Sequence, residues 1–468
     1  MQLGGPPGAD RTSKETTNEP GKDARSMPWL LNLTYLALLA ALSPMLLWRI
    51  VVRRKYRTGW REKLLGHVPR RAGDRPCLWF HAVSVGEVLL LEPVLKELRS
   101  RLPTVEFVIS TTTPTGRSVA EAKFPGDVIC YFPLDFSWAV REAMARLRPT
   151  AIVLVELELW PNFILHARQS GIPVALINGR LSERSLRGYR RLRPLVAGLL
   201  GSLRAIAVQN STYAKRFAEL GAPRQRLSIT GSIKFDRVTA DRNNPKTAEL
   251  RAAFGIAETD QVFVAGSTQE TEESAAIDAY LALRERFPTL RLILVPRHKE
   301  RFDEVASLVE SRGLPLCRRT EVSRSDSPTG VGRPVLLLDT LGELAACWGL
   351  ADVAFVGGSL TNRGGQNMIE PAGYGAAVLF GPNTQNFRDV VELLLSADAA
   401  RVVRNGEELT TAIAECLAHP ERARERGARA QKLVLTQQGA TLRTVDILAS
   451  LPGLSPVATR HADAATAA

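Results

Sequence analysis

What most limits the fold of this chain is a rhythm. Between residues 77 and 403, short apolar runs alternate with segments whose apolar residues recur every three or four positions. The runs at 77–80, 105–110, 128–131, 151–155, 174–177, 205–208 and 227–230 read as buried strands, and 139–147 and 213–220 read as helices. A polar stretch ending in Asn243-Asn244-Pro245 interrupts the series. A second series follows at 262–265, 292–295, 335–338, 353–356, 378–380 and 401–403. Strands alternating with helices mean parallel sheets covered on both faces. The expectation is an α/β protein with two Rossmann-like domains, 53–236 and 249–451, joined by a linker at 237–248 and facing a central cleft. Clefts between domains are preferred ligand sites.

The ends read differently. Residues 1–27 are polar and are expected to be a disordered extension, as is the Ala/Thr-rich tail 452–468. Residues 28–52 carry almost no charge before Arg49, and about 20 apolar residues suffice to cross a bilayer as a helix. Asn32 and Pro44 weaken that stretch as a spanning helix. No small-residue cleavage site follows it, so a removed signal peptide is not expected. Arg49, Arg53, Arg54, Lys55, Arg57, Arg61 and Lys63 follow, and a basic flank holds what lies downstream on the cytoplasmic side. The expected localisation is an inner membrane, through a single-pass or monotopic anchor helix. The net charge of +13 admits an anionic membrane or nucleic acid as partner. With 6% aromatic residues and no stacking motif, membrane lipids are expected and nucleic acid is not. Five scattered cysteines without a CxxC pair read as small buried residues of a reducing compartment. Six histidines without an HExxH cluster predict no protein-held metal and no cofactor.

The first half carries acids at strand ends. In His81-Ala82-Val83-Ser84-Val85-Gly86-Glu87, a turn delivers Glu87 at a helix start beyond a strand's carboxyl end, where open α/β sheets place ligands. Gly86 is expected to supply the sharp bend. The plainer reading of Glu87 is a charge complementing a helix start. The run 151–155 then releases Glu156-Leu157-Glu158-Leu159-Trp160-Pro161-Asn162, with Glu156 and Glu158 on one side if the segment is extended. Arg180, Arg184, Arg187, Arg190, Arg191 and Arg193 crowd around Tyr189. They form either a solvated face or a site for anionic headgroups, since guanidinium binds phosphate bidentately. Lys234, in Gly231-Ser232-Ile233-Lys234-Phe235-Asp236, stands just before the linker.

The second half has the stronger nucleotide signals. Pro296 and Arg297 end one strand, and Asp339-Thr340-Leu341-Gly342-Glu343 follows another, with free amides expected where a helix opens. Gly357-Gly358 and Gly364-Gly365 lie close together, and the second pair leads into Gln366-Asn367-Met368-Ile369-Glu370. Such turns let backbone approach an anion, and Glu370 is placed to accept from ribose hydroxyls. The GxGxxG fingerprint is absent from the first turn of both halves, which counts against NAD or FAD.

In order, HAVSVGE, STTTPTG, ELELWPN, NGRLSERS, GSIKFD, VPRHKERF, DTLGEL, FVGGSL and GGQNMIEP resemble the 3-deoxy-D-manno-octulosonic acid (Kdo) transferases of lipopolysaccharide core biosynthesis. The similarity runs from the anchor to about residue 440. It implies a GT-B glycosyltransferase, with CMP-Kdo as donor and a lipid A precursor (lipid IVA) as acceptor, working at the cytoplasmic face of the cell inner membrane. It implies Glu87 as general base and Glu156 and Lys234 as transition-state stabilisers. Donor contacts fall at Pro296 and Arg297, at Leu341, Gly342 and Glu343, and at Asn367, Met368, Ile369 and Glu370. The first domain becomes the acceptor domain, with Glu158, Arg180, Arg184 and Arg187 as acceptor-side candidates, and the second binds CMP-Kdo. The chain departs from the family's pattern at Gln366, often His, at Leu157, often Thr, and in its N-terminal extension. Two rivals remain: a GT-B transferase using a UDP-sugar on a lipid, and a membrane-tethered binder of nucleotide or nucleic acid.

Overall fold

The run Cys77–His81 is buried at every residue, and so is Ala151–Val155. Strands apolar on both faces have to be sandwiched, and helices cover them. The computed structural model describes residues 23–51, 58–322 and 333–454. The chain divides into two compact units, Met1–Ile229 with Asp446–Ala468, and Thr230–Val445.

Unit 1 holds β1 Cys77–His81, β2 Glu106–Thr111, β3 Val128–Tyr131, β4 Ala151–Val155, β5 Val174–Gly179, β6 Ala205–Val208 and β7 Leu227–Ile229. They form one parallel sheet in the order β3-β2-β1-β4-β5-β6-β7. The helices that matter for the site are α1 Asp23–Val51, α2 Trp60–Leu65, α3 Val85–Arg101, α4 Pro114–Lys123, α5 Ser137–Leu147, α6 Pro161–Gln169 and α7 Glu183–Arg190. Cys77, Trp79, Ile152 and Leu154 pack with Phe163 and Leu186 in one core on one face of the sheet.

Unit 2 holds β8 Gln261–Thr268, β9 Leu290–Pro296, β10 Leu316–Arg318, β11 Val335–Leu337, β12 Val353–Val356, β13 Ala377–Phe380 and β14 Ala400–Val402. Its parallel order is β10-β11-β9-β8-β12-β13-β14. Alternation along a strand sends Val262 and Val264 to one core and Phe263 and Ala265 to another. This sheet therefore has a core on each face. Strand β10 was not expected, because Leu316-Cys317-Arg318 is too short and too polar to register as an apolar run.

The units divide at Ile229, before the expected linker at 237–248. That segment is held within unit 2. Arg242 donates from Nε to Tyr374 O (2.8 Å) and from Nη2 to Ala351 O (2.7 Å). Asn244 caps the helix Pro245–Ala253 by accepting from Thr247 N. The chain crosses back inside the helix Ala440–Ala449, at Val445. Both crossings are tied on the unit 2 side, where Arg443 donates to Thr230 O (2.8 Å) and Asp236 accepts from Gly439 N (2.7 Å).

The expected anchor is the helix α1. Its window Pro28–Met45 is long and apolar enough to cross a membrane, and almost none of it is buried. Residues 1–22, most of the basic flank (Arg53, Arg54, Lys55 and Arg57) and 455–468 lie outside the described residues. All five cysteines are buried and free, as expected.

Candidate active site

In unit 1 the chain runs from β1 to β2 on one side and returns to β4 on the other. The gap beyond the carboxyl ends of β1 and β4 is thus the topological switch point, where such sheets bind ligands. Glu87 stands on the β1 side. Ser84 is the N-cap of α3, with φ −114° and ψ 164°. The Glu87 carboxylate accepts from Val83 N (2.8 Å) and from Ser84 Oγ (2.9 Å), and Glu87 N donates to Ser84 Oγ (3.4 Å). This resembles a capping box, with the carboxylate reaching the N–H one residue before the N-cap, so the helix-start role falls on the residue expected to be the base. The bend does not come from Gly86, contrary to expectation. Gly86 lies inside α3 without a left-handed φ, and the turn is made by residues 82–84. A side chain at position 86 would meet only Ser84 Oγ, at 3.8 Å, so the helix start is open on that side.

On the β4 side, Glu156 takes φ 63°, a left-handed conformation that costs a non-glycine residue free energy. Its N–H still pairs with Ile177 O (2.9 Å), and its carboxylate is buried against Arg180, with Nε to Oε2 at 2.7 Å. The segment is therefore not extended at Glu156, and the expected alternation of Glu156 and Glu158 does not apply. The two acids, Glu87, Arg180 and Tyr189 nevertheless gather electrostatically. Burial pushes the Glu87 carboxyl above its ordinary range, and the Val83 N–H pulls it back. The Glu156 charge pushes it up again, and Ser84 and Arg180 draw it down. Burial and then the Glu87 charge push Glu158 up to about 7. Burial and Glu158 together raise the Tyr189 hydroxyl. Arg184 and Arg187 are exposed on α7, away from these bonds. Arg190, by contrast, is paired with Glu219.

In unit 2 the corresponding switch point lies between β8 and β12. It is filled from within. Glu272, fully buried, accepts from Gln269 N (2.9 Å), Gly358 N (2.6 Å), Ser359 N (2.9 Å) and Leu360 N (2.9 Å). The first glycine pair was expected to offer its amides to an anion; an internal carboxylate has taken them. The second pair is left-handed, with φ 90° at Gly364 and 76° at Gly365. It hands the chain to Asn367, whose Nδ2 donates to Glu370 Oε1 (2.9 Å) and whose Oδ1 accepts from Ile369 N (3.1 Å). Burial raises the Glu370 carboxyl, and Asn367, Arg237, Trp348 and Arg297 hold it back, in that order. That coupling brings Arg297, at the end of β9, together with the start of the helix Ile369–Gly373. Pro296 and Met368 are buried and shape the backbone there.

The turn after β11 is pinned from below. Asp339 accepts from Arg318 Nε (2.7 Å) and Thr320 N (2.9 Å). Although burial works the other way, these bonds leave its carboxyl below the usual range. The helix that follows, Leu344–Cys347, is a single turn. Glu343 is tied to Arg319 (3.2 Å) and to the Thr340 hydroxyl, while Leu341 stands 72% exposed and Gly342 is left-handed. Lys234 lies in the short turn Ile233–Arg237, its Nζ 5.9 Å from the centroid of the Phe387 ring.

Residues 58–237 match the family described as 3-deoxy-D-manno-octulosonic-acid transferase (kdotransferase). The 3-deoxy-D-manno-octulosonic acid transferase of Haemophilus influenzae is 32% identical over 79% of this chain and 86% of that one. The one from Bordetella pertussis is 34% identical over 88% of this chain and 98% of its own length. The chain belongs to the Kdo transferases. It is a glycosyltransferase. A putative UDP-N-acetylglucosamine 2-epimerase from Listeria monocytogenes, 14% identical, matches it with a TM-score of 0.53 over 81% of this chain and 96% of that one. That likeness is one of fold, and with the two parallel sheets it places the Kdo transferase among GT-B proteins.

Three contributors to this transferase's site escaped the sequence reading. Tyr189 was seen only as the centre of an arginine run. Glu272 had no signal beyond an acidic pair opening a helix. Arg237 was assigned to a linker, yet it helps hold the Glu370 carboxylate.

Proposed function

We propose that this Kdo transferase moves Kdo from CMP-Kdo to a hydroxyl of a lipid A precursor, with inversion at the anomeric carbon. The observation that carries the reading is Glu87, a carboxylate of raised basicity held at the β1/β4 switch point by Val83 N and Ser84 Oγ. A general base has to be ionised and within hydrogen-bond reach of the proton it takes, and a raised pKa strengthens it. Glu87 takes the proton as the acceptor oxygen attacks; the bond from the anomeric carbon to the phosphate oxygen breaks, and CMP leaves.

CMP departs as a phosphate monoester, with less charge to neutralise than a nucleoside diphosphate. Cationic side chains suffice for that, so no metal and no further cofactor is proposed. In unit 2, Arg297 and Lys234 take this role, with Pro296, Leu341 to Glu343 and Asn367 to Glu370 holding the nucleotide. In unit 1, Glu156 stabilises the transition state. Glu158, Arg180, Arg184 and Arg187 attend the acceptor, whose phosphates suit guanidinium groups. The apolar α1 and the net charge of +13 support work at an anionic membrane surface, the cytoplasmic face of the inner membrane.

The test is incubation of the full chain with CMP-Kdo and a tetra-acylated lipid A precursor, with product masses and released nucleotide measured. A mass gain of one or more Kdo units with equimolar CMP is expected. Turnover of a UDP-sugar onto the lipid, with CMP-Kdo untouched, would overturn the donor assignment.

A further inference from the structure

In the apolar window of α1, Thr34 and Ser43 bond back to carbonyls of the helix itself, whereas Asn32 and Tyr35 are satisfied by the body of unit 1. Asn32 is 4% exposed. Its Nδ2 donates to Ser137 Oγ (2.7 Å), and its Oδ1 accepts from Ser137 N (3.0 Å) and Asn162 Nδ2 (3.2 Å). One turn on, the Tyr35 hydroxyl donates to Asp135 Oδ2 (2.9 Å), and its ring meets Phe136 edge-on at 6.0 Å. The buried Asp135 carboxylate also accepts from Asn162 N (3.0 Å) and Phe163 N (2.8 Å). The socket is thus built from the starts of α5 and α6, and α6 begins just after the acids Glu156 and Glu158.

These contacts bear on how α1 meets lipid. A spanning helix needs about 30 Å of hydrocarbon around it, and buried polar backbone is not found at a lipid-facing position. Asn32 and Tyr35 lie in the first half of Pro28–Met45, against a carboxylate and helix N-termini. Beyond Tyr35, residues 36–51 supply about 24 Å of helix at 1.5 Å per residue, short of a crossing. The side of α1 away from the socket is open and apolar, with Leu30, Leu33 and Met45 exposed, and past the socket Leu36 and Leu42 are exposed on the docked side as well. Next to the socket, unit 1 exposes Trp60, Leu65 and Trp138. Trp138 stacks on Phe136 at 4.5 Å and donates from Nε1 to Leu64 O (2.9 Å), an apolar body with a satisfied polar edge, as at membrane–water interfaces.

We propose that α1 is a docked interfacial helix. Its open face lies in the headgroup–acyl boundary of an anionic bilayer without crossing it, and Asn32 and Tyr35 clamp it to the turn behind Glu156 and Glu158. The net charge of +13 suits such a surface. The anchor and the acid-bearing loop then form one joint, which fixes the acids at a set height over the lipid.

This inference rests on α1 being the membrane element, and the experiment separates the two. Flotation of the full chain with phosphatidylglycerol-containing vesicles tests membrane contact; a chain that stays out of the vesicle band overturns both. The native cysteines are buried, so an introduced thiol reports alone. In inverted inner-membrane vesicles, Ser26→Cys and the exposed Ser170→Cys should both react with a membrane-impermeant maleimide. Ser26→Cys that reacts only in intact spheroplasts would overturn the docked helix and leave membrane contact standing. Asn32→Leu supplies a second readout. It makes α1 a better spanning helix, yet it should lower kcat several-fold with the KM for the donor unchanged. Wild-type kcat in that variant would overturn the clamp.

Discussion

Glu87 is asked to do two jobs, and two substitutions separate them. Glu87→Gln keeps a side chain that can accept from Val83 N and Ser84 Oγ, but it removes the base. Glu87→Ala removes both. General-base catalysis contributes about 10²–10⁴-fold, so either variant should lose about 3–5 kcal/mol of transition-state stabilisation. The structural cost falls on alanine alone. It loses two bonds of 2.8 and 2.9 Å on a partly buried carboxylate, and a cap of this kind stabilises by about 1–2 kcal/mol. In a unit of this size each kcal/mol shifts Tm by about 2–4 °C, so Glu87→Ala should melt about 2–8 °C lower and Glu87→Gln close to wild type. The assays are CMP release at saturating donor, titration calorimetry with CMP, and a thermal melt. CMP affinity should be unchanged in both variants. Turnover of Glu87→Gln at the wild-type rate would refute the base assignment. Equal melting losses in the two variants would refute the capping argument.

Two further outcomes follow from the charges around that site and its counterpart in unit 2. Arg180 draws the Glu87 carboxyl down, so Arg180→Met should let it rise. The base must be ionised, so the acid limb of kcat/KM should move to higher pH; an unmoved or lowered limb would sink the coupling. In unit 2, Glu272→Ala leaves four buried amides without their charged acceptor, at about 1.5–3 kcal/mol for a single such bond and not additively. Hydrogen exchange at Gly358, Ser359 and Leu360 should accelerate by at least about 100-fold, a loss of about 3 kcal/mol; unchanged protection would show that Glu272 is not what holds that loop.

Much of the framework was legible because burial on two faces leaves a local signature. Runs 128–131, 151–155, 205–208 and 353–356 coincide with β3, β4, β6 and β12, residue for residue. What was not legible depends on partners far away in the chain. Asn32 looked like a flaw in a membrane helix because its partners, Ser137 and Asn162, lie more than 100 residues on. The Gly357-Gly358 turn looked open because the carboxylate that fills it comes 86 residues earlier. Glu156 was placed by period-2 alternation, a rule that its left-handed φ breaks one residue past the end of β4. The linker was drawn from polarity, yet polar Arg242 ties that segment into unit 2, as Asp236 does just before it.

The two sheets use one layout to opposite ends. Each has its crevice between the first strand and the strand on which the order reverses, where this architecture usually receives a ligand's phosphate on free amides. In unit 1 the crevice is flanked by Glu87 and Glu156, so it repels anions and favours a hydroxyl that can surrender a proton. In unit 2 Glu272 already occupies the amides, and a phosphate entering there would have to displace a buried carboxylate or sit against it. The proposed donor site accordingly lies outward along the same edge, at Arg297 after β9, at the turn after β11 and at the start of the helix Ile369–Gly373. On the proposed reading, one carboxylate in unit 1 serves as the base and one in unit 2 closes off a set of amides, so that a single layout gives a base-bearing unit and an anion-holding one.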